Sequence, residues 1–541
     1  MTLLAAATAA VPGAIPAPSI EYSQLAPMLV VFGAAIVGVL VEAFVPRELR
    51  RAVHLLVTFG ALVAAFVWTC VIAASSTIFA KGSAGDVVAG AVAKAGAAAT
   101  GAVAVDRPTL FIQGTILVLA AVSVLLIADA SHDVSSFAGQ AAAVPGSPEE
   151  RAGLRAGLVH TEIYPLTLFS VGGMLLFPAA NDLLTMFIAL ETLSLPLYLL
   201  CGLARRRRLL SHEAAMKYFL LGSFSSAFFL FGIAMLYGFS GSVSLASIAS
   251  AASAGTGSDT LLFGGIALVG LGLLFKIGAV PFQSWKPDVY QGAPTPITAL
   301  MASCTVVSAF GALLRVFYVA FGTLTWDWRP ALWVVAVLTM VVGAVIAITQ
   351  TDVKRLLAYS SIAHAGFILT AVISSSVQGL SASLFYLATY GLSTIGAFAV
   401  ITLVRDSGGE ADHLSRWAGL GKRSPVVAGV YALFLLTFAG IPLTSGFAGK
   451  FAVFSAAIAG GATPLVIVGV VASAIAAFFY VRVIVLMFFS DPVPDGPVVA
   501  VPSVFTGTAV ALGALSAVVF GIVPGPLLSL ANHAATQLFV R

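Results

Sequence analysis

The sequence predicts an all-α, polytopic membrane protein with about fourteen transmembrane helices. Three observations carry that expectation. Of the 541 residues, 60% are hydrophobic and only 9% are charged, where a soluble domain carries about 25% charged residues. The mean hydropathy is +1.06, and a chain this apolar has too little polar surface to face water. Apolar runs of the length that crosses a bilayer, about 20 residues, recur along the whole chain with short connections between them.

In chain order the spans are expected at 25–45, 52–74, 108–129, 162–179, 182–204, 213–238, 259–282, 295–321, 330–350, 358–376, 379–404, 426–459, 463–489 and 502–524. Two connections are longer. Residues 75–107 are rich in Ala and Gly, and 130–160, which contain AVPGSPEERAG, form a polar linker. The chain therefore divides into an N-terminal part (1–161), two central parts (162–321 and 330–489) and a C-terminal helix with its tail (490–541). The start, MTLLAAATAAVPGA, lacks the basic segment of a cleaved signal peptide.

Orientation follows from the basic residues, which accumulate on the inner side. With the N-terminus outside, the inner side holds 16 Lys and Arg: Arg47, Arg50, Arg51, Arg151, Arg155, Arg205 to Arg208, Lys286, Lys354, Arg355, Arg405, Arg416, Lys422 and Arg423. The outer side holds 5: Lys81, Lys94, Arg107, Arg329 and Arg541. Both termini are expected outside, with the RRRR run as an inner anchor. The net charge of +4 is too small to imply nucleic acid. The cysteines, Cys70, Cys201 and Cys304, lie in apolar runs without CxxC spacing and read as packing residues. No zinc, iron–sulfur, dinucleotide or Walker pattern occurs, and no nucleophile–base pair points to an independent enzyme.

Five basic residues remain inside spans: Lys217, Lys276, Arg315, Lys450 and Arg482. Arg315 and Arg482 lie near span ends and are expected to snorkel, as are the acids Glu42 and Asp129. Lys276 and Lys450 lie deep, Lys217 is shallower, and Glu191 sits nine residues into its span, about 14 Å in at 1.5 Å per residue. A lone charge at mid-bilayer costs at least about 2.5–3.5 kcal/mol. Fixed ion pairs do not resolve this, because one acid faces three lysines. Surplus amines in a low dielectric favour their neutral form, so these side chains are expected to load and release protons.

Two prolines sit beside these amines. Pro281 follows Gly278 in IGAVPF, and Pro442 follows Gly440 in AGIPLT. A proline removes a backbone hydrogen bond and kinks or breaks a helix, and a break at membrane depth survives only where it lines a cavity or is buried in protein. The two breaks are five helices apart and would be crossed in opposite directions, as an inverted repeat requires.

Five stretches carry a family resemblance: LETLSLPLYLLCGL (190–203), EAAMKYFLLGSFSSAFFLFGIAMLYG (213–238), FKIGAVPFQSWKPDVYQGAPTPITA (275–299), DVKRLLAYSSIAHAGF (352–367) and GIPLTSGFAGKFAVF (440–454). In these the chain resembles the N subunits of bacterial respiratory complex I, members of the antiporter-like (Mrp-type) membrane subunits, from about 162 to 489. The resemblance implies fourteen helices with two inverted five-helix repeats, and a proton path through Glu191, Lys217, Lys276 and Lys450. It implies no cofactor in this chain, with NADH, FMN, iron–sulfur clusters and quinone in partner subunits. It implies other complex I membrane subunits as partners, sister antiporter-like and small ones, in a bacterial inner membrane. Two departures stand out. The family often has a lysine where this chain has Val306, leaving a gap that water or His364 would bridge, and often a histidine where this chain has Gln283. Two other readings fit the same motifs: the large subunit of a multi-subunit Na⁺/H⁺ antiporter, or a scaffold whose own channel is inactive.

Overall fold

A computed structural model describes residues 20–75, 97–98, 101–129, 136–137, 147–149, 152, 160–255, 257–406, 409–536 and 539. Most of the Ala/Gly-rich and polar connections, with Lys81, Lys94, Arg151, Arg155 and Arg541, lie outside the described residues.

Twelve of the described helices are long and apolar enough to cross a membrane. In chain order the helices used below are α1 (Tyr22–Phe44), α2 (Arg47–Ala74), α3 (Arg107–Ala128), α4 (Ile163–Leu176), α5 (Leu183–Cys201), α6 (Arg208–Ser240), α7 (Leu245–Ala254), α8 (Asp259–Ile277) and α9 (Trp285–Gly292). There follow α10 (Thr295–Ala320), α11 (Gly322–Thr349), α12 (Val353–Ile373), α13 (Val377–Leu403), α14 (Pro425–Ala439), α15 (Ser445–Ala459), α16 (Thr463–Phe489), α17 (Val504–Ile522) and α18 (Gly525–Thr536). The predicted span 162–179 is realised as α4 plus one 3₁₀ turn to Ala179, and 426–459 as two short helices, α14 and α15. Three described helices, α7, α9 and α18, had no expected span, because each is too short to register as a crossing. Arg405 and Asp406 pair with Gly409–Glu410, and Val404–Arg405 with Val498–Val499, in a small antiparallel sheet beside the end of α13.

Helix starts follow the local chemistry of capping, in which a short polar side chain takes up an otherwise unpaired backbone N–H. Asp106 accepts from Thr109 N at 3.0 Å, Asp182 from Thr185 N at 2.8 Å, and Asp352 from Lys354 N and Arg355 N at 2.9 and 3.0 Å. The interior is set by burial. The most apolar stretch of α10 is 100% buried, and those of α12 and α13 are 94% buried, against 28–39% for α1, α2, α6, α11, α16 and α17. The first three are central posts and the last six each leave an apolar face exposed on the outside of the chain.

The two helix breaks use one device. α8 ends at Gly278 (φ +80°) and α14 at Gly440 (φ +81°). In each, the glycine and the next residue donate to one carbonyl: Gly278 and Ala279 to Leu274, at 2.9 Å each, and Gly440 and Ile441 to Leu436, at 3.0 and 3.1 Å. The left-handed glycine is what permits this reversal. After it the chain re-enters helix at α9 in the first case and α15 in the second. The α14–α15 turn is tight: a Cβ on Gly446 would stand 1.8 Å from the Thr437 carbonyl oxygen. Gly446→Leu is therefore expected to force the break open and lower the amount of assembled protein severalfold, measured on native gels, while Gly33→Leu, where nothing lies within 4 Å, leaves it unchanged.

Candidate functional site

The deep amines found in the sequence are buried, but their partners differ from expectation. Lys276, in the last turn of α8, is 3% exposed. Its Nζ donates to Ser194 Oγ at 2.7 Å and to Tyr218 Oη at 3.1 Å, and lies 5.1 Å from the Tyr218 ring centre and 6.0 Å from that of Tyr198. A cage of two hydroxyls and two aromatic faces holds an ammonium without cancelling its charge. Glu191 stands three residues before Ser194 on α5, on the same helix face. It lies within Coulombic reach of Lys276, and its Oε1 is buried without a hydrogen-bond partner.

Lys217 is not paired with Glu191 in this structure. Its Nζ donates to Asp288 Oδ2 at 2.7 Å and also meets Glu213 Oε1 at 2.7 Å. Asp288 in turn accepts from Arg355 Nη1. Lys217 is 41% exposed, so it lies on the flank of the chain rather than in its interior.

Lys450, in the second turn of α15, is 5% exposed. Its Nζ donates to the carbonyls of Phe438 and Ala439, at 3.0 and 2.9 Å, and to Ser473 Oγ at 2.7 Å, and sits 4.9 Å from the Phe367 ring centre. It satisfies the carbonyls that the break at Gly440 leaves open. His364, on α12, is 1% exposed. Its Nδ1 lies 2.6 Å from Tyr386 Oη and its Nε2 3.3 Å from Tyr480 Oη, and its ring faces Tyr390 at 4.7 Å. His364 and Lys450 share two neighbours, Phe367 and Phe438. A small enclosed cavity, lined by His364, Tyr386, Tyr390, Phe438 and Ser445 among others, lies at this junction. The Ser445 hydroxyl has no hydrogen-bond partner, and such a group is where a buried water belongs.

Two positions expected elsewhere belong to the interior. Lys286 was assigned to an inner loop, yet it is 0% exposed. The reason is α9: after Pro281 the chain does not run as an exposed loop but turns back at Trp285 into a short helix with Trp285, Lys286, Val289 and Tyr290 buried. Its Nζ donates to the Ile277 carbonyl at 3.0 Å and lies 5.6 Å from the Tyr290 ring centre. The available signal was that a lysine follows each break glycine within ten residues, eight after Gly278 and ten after Gly440. Arg315 was expected to snorkel and is instead 0% exposed, bonded through Nη2 to both carboxylate oxygens of Asp106, at 2.9 and 2.8 Å, and through Nε to the Pro178 carbonyl. Burial on all sides of α10 leaves its side chain no route to an interface. Arg482 is exposed and donates to the Ile348 carbonyl, as a snorkelling side chain does. Val306 is 4% exposed on α10, and Gln283 Oε1 is buried without a hydrogen-bond partner.

The starts of α10 and α12 and the end of α13 close over an ionic cluster. Lys354 meets Glu410 at 3.1 Å, Arg207 pairs with Asp412, and Arg405 lies 3.8 Å from Glu410. The RRRR run is thus partly packed against protein. Burial pushes the Asp412 carboxyl up to about 6, against the pull of Lys354 and Arg207.

Residues 180–476, which hold both breaks and the buried amines Lys276, Lys286, Lys354 and Lys450, match the family model described as NADH:quinone oxidoreductase/Mrp antiporter, TM. Over 96% of its length the chain is 61% identical to the NADH-quinone oxidoreductase subunit N of Rhodococcus opacus, covering 97% of that protein. The chain belongs to the family of NADH-quinone oxidoreductase N subunits. The subunit N of Mycobacterium tuberculosis is 55% identical over 97% of this chain and 99% of its own length. Among solved structures, a chain of respiratory complex I from Thermus thermophilus with bound aureothin superposes with a TM-score of 0.71 at 31% identity, over 94% of this chain and 99% of that one. A chain of the Mrp complex from Dietzia gives 0.77 at 20% identity, covering 96% and 98%, which is a likeness of fold.

Proposed function

We propose that this chain translocates protons through the buried line that runs from Glu191 and Lys276 by way of His364 to Lys450. It is a proton-translocating membrane subunit of NADH-quinone oxidoreductase, complex I, and works alongside sister antiporter-like subunits and small membrane subunits. NADH, FMN, iron–sulfur clusters and quinone belong to partner subunits, so the driving force reaches this chain through contacts rather than electrons. Both termini face the outside of the bacterial inner membrane. The observation that carries this reading is the bonding of Lys276 and Lys450. Each amine is held by hydroxyls, carbonyls and ring faces, groups that tolerate its charged and its neutral form.

The Glu191 carboxylate supplies the switch. An opposite charge brought within about 4–6 Å changes the proton affinity of an amine by about 1.4–4 kcal/mol. Moving one charge against 100 mV takes about 2.3 kcal/mol. Approach of Glu191 loads Lys276. Its withdrawal, with Lys217 as the alternative partner once that amine leaves Asp288, releases the proton toward His364 and Lys450.

The test is Glu191→Gln in the assembled complex. Proton uptake per electron in NADH-energised proteoliposomes is expected to fall, and to be the same in sodium and choline media. Unchanged stoichiometry would leave the chain a scaffold. Uptake that required sodium would favour the antiporter reading, for which the likeness in fold to the Dietzia Mrp chain is the motive.

A further inference from the structure

Lys450 has a structural counterpart in the first repeat, and it is not Lys276. Lys450 donates to the carbonyl of Ala439, the residue just before the left-handed Gly440. Lys286 donates to the carbonyl of Ile277, the residue just before the left-handed Gly278. A Cβ on Gly440 would meet Lys450 Cδ at 2.8 Å and Nζ at 3.3 Å, and a Cβ on Gly278 would meet Lys286 Cδ at 2.7 Å and Nζ at 3.4 Å. In both halves an aliphatic stem lies across the break glycine and an amine seals the last carbonyl of the first half-helix.

The surroundings of Lys286 connect the two halves. Next to it, Trp285 stacks on Tyr218 with ring centres 4.8 Å apart, and Tyr218 holds Lys276. On the other side, the Lys286 amine faces Tyr290, whose ring meets Phe398 on α13. Lys450 and Lys286 are the two cations within Coulombic reach of His364. α10, the most buried helix, offers no acidic or basic side chain before Arg315, so it supplies no charged relay between the halves.

We propose that Lys286 is a proton-carrying residue of this chain, accepting one proton released by the Lys276 ammonium and passing it to the His364 imidazole on the way to Lys450. Each transfer leaves the donor neutral and makes the acceptor a cation, so one positive charge moves and nothing is consumed. The donor to the Ile277 carbonyl is preserved throughout, because a neutral amine still carries two N–H groups. The inference rests on the proton-translocating reading above.

The test uses the whole complex in proteoliposomes, with Lys286→Gln, Lys286→Met and Lys276→Met side by side. Gln keeps a neutral hydrogen-bond donor for the break but carries no proton, whereas Met provides neither. If Lys286 carries protons, Gln and Met both reduce NADH-driven proton uptake at least fivefold in assembled complex. If it only seals the break, Gln restores uptake to the unmodified level while Met impairs assembly, and the proposal is overturned. Failure of both variants to assemble also assigns Lys286 to structure and overturns it. Lys276→Met separates the two levels: loss of uptake there with normal uptake in Lys286→Gln sinks this inference alone, and normal uptake in Lys276→Met sinks the translocation reading itself.

Discussion

Lys276→Met is expected to abolish proton uptake coupled to NADH oxidation while leaving the complex assembled. Methionine matches the lysine stem in length and flexibility and brings no charge. The pocket it would enter is lined by the Tyr198 and Tyr218 rings, which accept a thioether well. The Ser194 hydroxyl already donates to the Leu190 carbonyl, so the cost falls on the buried Tyr218 hydroxyl, which loses its bond to Lys276, at about 1–3 kcal/mol. Removal of a buried cation also removes its desolvation cost. The two effects oppose each other and stability should change little, while the buried amine within Coulombic reach of Glu191 disappears. Proton uptake per electron in proteoliposomes, normalised to assembled complex, measures this. Uptake at the unmodified stoichiometry would remove Lys276 from the path.

Arg315→Met is expected to act in the opposite way, with a large loss of stability and no change in stoichiometry per assembled complex. Arg315 ties α10 to the cap of α3, through Asp106 and Thr109, and to the Pro178 carbonyl before α5. Its guanidinium also lies 4.6 Å from the Phe539 ring centre, so one side chain joins the centre of the fold to its C-terminal end. Asp106 is 3% exposed. Removing one member of a buried ion pair strands the other charge, at a cost of about 3–5 kcal/mol. Removing both together often costs little. Arg315→Met should thus lower the melting temperature and the yield of complex sharply, and Arg315→Met with Asp106→Leu should recover most of the loss. A double variant no better than the single one would show that the cap on Thr109, rather than the stranded charge, sets the stability.

These two residues illustrate what was readable. Lys276 and Arg315 both appear in the sequence as charges inside apolar runs, each six residues from the end of its expected span, and the Gly–Pro break beside Lys276 ranked it above Arg315, which was expected to snorkel. The rank was sound for Lys276. It failed for Arg315 because depth along a helix says nothing about which way the helix faces, and α10 has no exposed face. Lys286 failed for a related reason. Proline and glycine marked where α8 stops, but the chain length between Ile277 and Thr295 is equally compatible with a loop leaving the membrane and with a short helix staying inside it. Lys217 and Glu191 were read as members of one intramembrane cluster with Lys276, yet Lys217 bonds to Asp288 on α9, and Ser194 on α5 rather than Glu191 holds the Lys276 amine, pairings that depend on how the helices pack.

By itself the sequence determined the membrane class, the approximate positions of the spans, the two broken helices and the presence of the amines Lys276 and Lys450 beside them. All of these follow from local quantities: run length, the missing N–H of proline, the free φ of glycine and the cost of a charge in lipid. Only the tertiary structure decided which helices stand at the centre, which charges face inward, and that the amine sealing the first break is Lys286. Those are relations between segments far apart in the chain. They are fixed by packing and hydrogen-bond geometry, to which no single stretch of residues gives access.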